Sequence, residues 1–156
     1  MIDMANRERI RSLVDEAEQT SEVVLRGQVP GGRLAHGAFI RPSLVAIRNQ
    51  GSPLLGRELF GPVLTLDTFE DEDEAVQKAN NTRYGLAASV WTGDLKRAQR
   101  VARKIQSGTV WINAHNRLFA EAETGGFKES GFGRLHGVEG LEAFLQTKHI
   151  SWHTGE

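Results

Sequence analysis

Apolar residues fall at helical spacing near the start of the chain, where Ile10, Leu13, Val14 and Ala17 recur at i, i+3, i+4 and i+7. That period places them on one face of an amphipathic helix over residues 4–19. A short β-branched run at 22–26 follows, and Pro30, Gly31 and Gly32 break it with turn chemistry. Residues 38–47 read as extended. Ser52 followed by Pro53 has the character of an N-cap and first helical residue, predicting a short helical turn with Leu54, Leu55 and Leu59. From Pro62 onward the pattern becomes regular: an apolar strand over 63–69, a helix opening on acids at 71–74 with Ala75, Val76 and Ala79 inward, and a strand over 86–91. A helix over 94–105 then carries Leu95, Ala98, Val101, Ala102 and Ile105 on one face, before a strand over 109–113. Alternation of this kind with short connections predicts an α/β fold, a parallel sheet flanked by helices with right-handed crossovers. A last helix puts Val138, Leu141, Phe144 and Leu145 inward, and a β-like tail follows at 148–152.

Composition narrows what such a chain does. At 156 residues, 39% hydrophobic and 25% charged, it matches an ordinary globular domain with enough length to bury a core without cross-links. There is no Cys at all, which removes disulfides, Cys-based zinc sites and Cys nucleophiles from these residues together. Lys and Arg number 19 against 20 Asp and Glu, a net charge of −1, so no basic field draws nucleic acid or an anionic membrane. Charges occupy the N-terminal stretch where a signal peptide is apolar, and no run reaches a membrane span, so the expected location is cytoplasmic.

Ligands of open α/β sheets lie beyond the carboxyl ends of the strands, which singles out the loop over 114–134. Four glycines crowd its second half, Gly125, Gly126, Gly131 and Gly133. The dinucleotide fingerprint fails there, because Gly131 and Gly133 are followed by Gly137 instead of a glycine at 136; a phosphate-binding Gly-Lys-Ser/Thr is absent too. A tight loop packing on neighbouring backbone is the plainer account. The acids at 70–74 suit the positive end of a helix better than a metal. His149 and His153 have a metal-compatible spacing, but in a strand-like or frayed segment. His115 lies in the loop as a candidate base, with no Ser or Asp placed in sequence to complete a relay. Glu58 and Phe60 precede a glycine turn, and spacing alone assigns them no role beyond a helix end.

Taken together, four ordered stretches are more specific. Glu58 to Val63 (ELFGPV), Tyr84 to Trp91 (YGLAASVW), Ser107 to Asn113 (SGTVWIN) and Gly125 to Arg134 (GGFKESGFGR) resemble the signatures of the NAD(P)-dependent aldehyde dehydrogenase superfamily, in its C-terminal part. Residues 2–17 and 38–44 are similar to further segments of that family. The resemblance implies the C-terminal portion of the catalytic domain over 1–146 and a short tail over 147–156 that serves as an oligomerisation strand. It implies that Glu58 accepts hydrogen bonds from the nicotinamide ribose of NAD or NADP and that Phe60 packs near the nicotinamide. Leu118, Phe119 and Thr124 are implied to line the aldehyde channel, although Glu123 and Thr124 replace the Pro-Phe found before the glycines in many members. In the family a Cys thiolate adds to the aldehyde and a Glu activates water; both lie N-terminal to the matched region, so these 156 residues carry no catalytic residue and are expected to be inactive alone. The expected partners are copies of the chain or a complete or complementary aldehyde dehydrogenase chain. The alternative is a non-catalytic oligomerisation module derived from the family.

Overall fold

The computed structural model describes residues 1–155, and the chain folds as two compact units, Met1–Ala75 and the remainder from Val76. In the first, helix α1 (Met4–Ala17) starts where the Asp3 side chain accepts a hydrogen bond from the Asn6 amide, satisfying a donor that the first helical turn leaves free. Its apolar face lies where the period places it: Ile10 is 1% exposed, and Leu13, Val14 and Ala17 are buried. Against it stands a three-stranded sheet of β1 (Ser21–Leu25), β2 (Ser43–Ile47) and β3 (Val63–Leu66), in the order β1-β2-β3. β1 runs antiparallel to β2 with an irregularity between Val23 and Leu25, whereas β2 and β3 are parallel, Ser43 opposite Val63 and Ala46 opposite Leu66. Val45, Leu54 and Leu59 close the core with Ile10, Leu13 and Ala17. Each Val, Leu or Ile side chain among these contributes about 1.5–3 kcal/mol on burial.

Buried charge here is fully partnered. Arg7 donates to the carbonyls of Ala35 (3.2 Å) and Gly37 (2.7 Å) and to Glu8, holding a 3-10 turn, Gly32–His36, beside α1. The expected helical turn after Ser52 is a succession of turns and bends instead. Ser52 Oγ accepts from the Leu54 amide and the Ser52 carbonyl from the Leu55 amide, so the local bonds close a turn without propagating.

The boundary between units falls inside α2 (Glu72–Asn80). The acids at its start do the work of a cap: Asp71 Oδ1 accepts from the Glu74 amide, and Glu74 Oε2 accepts from the Glu70 amide. The second unit holds a parallel pair, β5 (Ala87–Val90) with β6 (Thr109–Ile112), joined through helix α3 (Leu95–Lys104), and an antiparallel pair of β4 (Tyr84–Gly85) with β7 (Phe127–Lys128). α3 is capped by Asp94, whose carboxylate accepts from the Arg97 amide. A short helix α4 (Gly137–Glu142) follows. The α/β expectation holds, as parallel and mixed sheets flanked by helices, with pairing divided among three small sheets.

Several faces expected inward lie outward. Ala79 and Leu95 are exposed, and of the predicted α3 face only Ala98 is buried. Val138, Leu141, Phe144 and Leu145 are all more than half exposed. Periodicity identifies an apolar stripe, but burial also needs an element to cover it, and no described element covers the stripe on α4. The tail over 148–152 likewise forms no strand: a β-strand exists only with a partner ladder, and this segment has none among the described residues. No described helix is long and apolar enough to cross a membrane.

Candidate functional site

In the first unit, Glu58 and Phe60 lie on an irregular segment between the core and β3, not at a helix end. Leu59 between them is buried in the core, so its neighbours on either side point away from it. Phe60 is 71% exposed and holds φ at +51°, a left-handed conformation that costs about 1–3 kcal/mol for a bulky residue. α1 maintains it. Arg9 donates to the Leu59 carbonyl at 2.5 Å and Asn6 Nδ2 to the Phe60 carbonyl at 3.3 Å, while Asn6 Oδ1 accepts from Arg9 Nε at 2.9 Å. Gly61 completes the seat, because a Cβ there would lie 2.5 Å from Ile10 Cδ1. Glu58 is exposed, with no hydrogen bond or ion pair among the described residues. A carboxylate free on both oxygens can accept hydrogen bonds from two hydroxyls, and an exposed ring offers a flat apolar surface.

Sequence reasoning missed Asn6 and Arg9. Their i, i+3 spacing puts them on one helix face, which was visible. Their targets some 50 residues away were not.

A cleft of about 260 Å³ in this unit is lined by Arg11, Val14, Asp15, Arg26, Gly27 and Ile40, among others. Its charges are already spoken for. Arg26 pairs with Asp15 and with Glu18 (2.6 Å), the hydrogen bond to Asp15 being the main cause of its raised pKa, and Arg11 pairs with Glu8 at 3.1 Å.

In the second unit, β6 is followed by Asn113, whose φ of +52° turns the chain sharply, with its carboxamide bonded reciprocally to the Thr92 backbone at 2.9 Å both ways. Trp111 Nε1 donates to the Arg117 carbonyl at 2.7 Å and meets His115 edge to face, ring centroids 5.2 Å apart. The sequence offered His115 no serine, but the parallel pairing of β5 and β6 does: Ser89 Oγ lies 2.9 Å from His115 Nδ1. No described carboxylate joins them, so nothing orients the imidazole as a base, and the pair fixes the loop. Beyond it Leu118 and Phe119 are more than half exposed, and Thr124 is half-buried.

The glycine-rich stretch is used for close approach. A Cβ on Gly108 would overlap the Gly125 carbonyl, and one on Gly126 would lie 2.5 Å from the Ser130 carbonyl oxygen, so the loop lies backbone against backbone. Lys128 Nζ, from β7, donates to the carbonyls of Asn80 (2.8 Å) and Thr82 (3.0 Å) at the end of α2. Asn80 in turn donates to the Lys104 carbonyl (2.9 Å) and accepts from the Gln106 amide (2.8 Å), joining the ends of α2 and α3.

A core-seated Glu-x-Phe segment in one unit and a glycine-packed loop beyond a parallel strand pair in the other belong to an α/β fold. The family profile described as Aldehyde dehydrogenase family matches residues 1–150, and the chain belongs to that family. Betaine aldehyde dehydrogenase of Bacillus subtilis (strain 168) is 38% identical over 156 residues, 99% of this chain and 32% of the relative. The chloroplastic betaine aldehyde dehydrogenase of Beta vulgaris is 36% identical over 151 residues, 97% of this chain and 30% of that protein. The crystal structure of betaine aldehyde dehydrogenase from Staphylococcus aureus in complex with NAD+ superposes with a TM-score of 0.88 at 40% identity, covering 96% of this chain and 30% of that one. The chain thus spans about a third of the length of the relatives it matches.

Proposed function

We propose that these residues form the part of an NAD(P)-dependent aldehyde dehydrogenase that seats the nicotinamide riboside and shapes the aldehyde channel, with the nucleophilic thiolate supplied from outside them. The supporting observation is the partnerless, exposed Glu58 carboxylate beside Phe60, on a backbone that Asn6, Arg9 and Gly61 hold in place. In this reading Glu58 accepts hydrogen bonds from the ribose hydroxyls, and the Phe60 ring limits where the nicotinamide sits. Leu118, Phe119 and Thr124 line the channel through which the aldehyde reaches the thiolate. When bound, NAD(P)+ supplies the oxidant for the aldehyde carbon. The likeness to NAD+-bound betaine aldehyde dehydrogenase supports NAD as the cofactor and an aldehyde as the substrate. No cysteine lies among the 156 residues, and so the chain alone has nothing to hold the acyl group.

The test mixes the chain with a Cys-bearing N-terminal portion of a relative and follows NADH absorbance with betaine aldehyde. Turnover that appears only in the mixture, and falls with Glu58→Gln through a raised KM for NAD, supports the reading. A flat trace at every ratio counts against it. A second reading, a non-catalytic module that associates with copies of itself or with complete relatives, is favoured by the uncovered stripe Val138, Leu141 and Leu145 and by the unpaired tail. Light scattering that returns a strict monomer removes it.

A further inference from the structure

The segment that carries Leu118, Phe119 and Thr124 is tied down at several points to residues 135–138. Thr124 and Leu135 exchange both backbone hydrogen bonds, at 2.8 and 2.7 Å, and the Gly137 amide donates to the Ala120 carbonyl at 3.0 Å. Two side-chain contacts add to these. Glu123 Oε1 accepts from the Val138 amide at 3.0 Å, and Thr124 Oγ1 lies 2.9 Å from His136 Nδ1. The residues at 123 and 124 are those that depart from the family's Pro-Phe; neither of those could make either contact, since both lack a polar side chain.

Backbone strain marks the same place. His136 has φ +63° and ψ 179°, a region that is nearly confined to glycine, and it is followed by Gly137 at φ +56°. A side chain kept at such a position at a cost to stability needs a compensating use. Among the described residues its imidazole hydrogen-bonds Thr124. That bond survives a change of charge, because a threonine hydroxyl donates to the neutral imidazole nitrogen and accepts from the protonated one.

We propose that Glu123 and His136 are positioning residues, a latch that fixes the conformation of the segment from 118 to 124 and with it the shape of the aldehyde channel. The consequence for the channel rests on the function proposed above, whereas the latch itself does not. Thr124 is held with its hydroxyl toward His136, so that in the channel proposed above a small side chain stands where many relatives place a phenylalanine. The substrate class this favours is an aldehyde with a bulky tail.

Amide exchange on the whole chain, beside urea unfolding, separates a latch from a general support. His136→Gly removes the imidazole and the backbone strain together. The expected result is exchange about fivefold faster or more at the Thr124, Leu135 and Val138 amides, with the urea midpoint unchanged or raised. Thr124→Val reproduces the faster exchange, and Thr124→Ser restores protection. Unchanged exchange in His136→Gly and Thr124→Val overturns the latch, and so does a lowered midpoint with exchange rising evenly across the unit. In the complemented enzyme, Glu123→Ala and His136→Gly shift KM for a bulky aldehyde about threefold or more relative to a two-carbon one. Equal shifts for both aldehydes overturn the channel consequence. A wild-type mixture without turnover removes the proposed function instead, and exchange still decides the latch.

Discussion

Gly61 lies where the segment bearing Glu58 and Phe60 presses on α1, and replacing it by alanine tests how that segment is seated. A Cβ at this position would lie 2.5 Å from Ile10 Cδ1 and 2.6 Å from Ile10 Cγ1, against the roughly 3.5–4.0 Å of comfortable carbon contact. Ile10 is 1% exposed and packs in the core with Leu13, Ala17, Val45, Leu54 and Leu59. Relief therefore requires movement of about 1 Å in α1 or in the segment, an overpacking that costs about 1–3 kcal/mol. Ile10→Ala alone leaves a cavity and costs about 2–5 kcal/mol. Combined, each change answers the other: the new methyl enters the space that Ile10 vacates. The double variant should then be less destabilised than the sum of the singles by about 1–2 kcal/mol. All three tryptophans (Trp91, Trp111, Trp152) and the one tyrosine (Tyr84) lie after residue 80, so fluorescence is blind to this unit and far-UV circular dichroism in urea is the assay. Additivity within about 0.5 kcal/mol, or a neutral Gly61→Ala, would show that the segment does not bear on Ile10 and would refute the reasoning.

Asn80→Ala removes two hydrogen bonds that tie α3 to α2, and a loss of about 1–3 kcal/mol is expected in urea unfolding followed by tryptophan emission. Gly108→Ala drives a methyl into the Gly125 carbonyl, backbone that has no rotamer to yield; thermal melting should fall by more than for any surface alanine, and a shift within error would contradict the close approach. The Glu123 carboxyl titrates below its ordinary value of 4.5, because its own backbone amide and that of Val138 donate to it. The lower folded pKa means the carboxylate contact is present above the ordinary carboxylate range and is lost as pH falls through the folded value. Val138 amide protection, corrected for the intrinsic pH dependence of exchange, should therefore stay flat from about pH 6 to 8 and fall as pH drops below the ordinary carboxylate range, and a reverse trend would be inconsistent with the contact.

Much of this molecule was legible from its chemistry. α1 and α3 are marked by apolar residues at helical spacing, and both begin within a residue of where that spacing places them. The acids before α2 act as the dipole argument requires. What failed was the step from stripe to burial. Leu95 and Leu141 sit at the expected period and yet face outward, because local sequence says which face is apolar but not whether another element will cover it. Pairing was hidden for the same reason: that β2 joins β3 in parallel while β4 meets β7 depends on contacts across some 20 to 40 residues. At the site, Glu58 and Phe60 stood out only through resemblance. The left-handed Phe60 and its support from Asn6 and Arg9 arise from long-range contact, as does the meeting of Ser89 with His115.

The node at Asn80 also bears on how the second unit comes together during synthesis. α2 and α3 leave the ribosome first, but the ammonium that holds the end of α2 belongs to Lys128, 48 residues after Asn80. Until that residue emerges, the carbonyls of Asn80 and Thr82 lack its ammonium and the end of α2 is freer to fray. A nascent chain arrested before residue 128 should be cut by proteases near 80–83, and one extended past it should resist, so that the glycine-packed loop closes the unit as well as lining it.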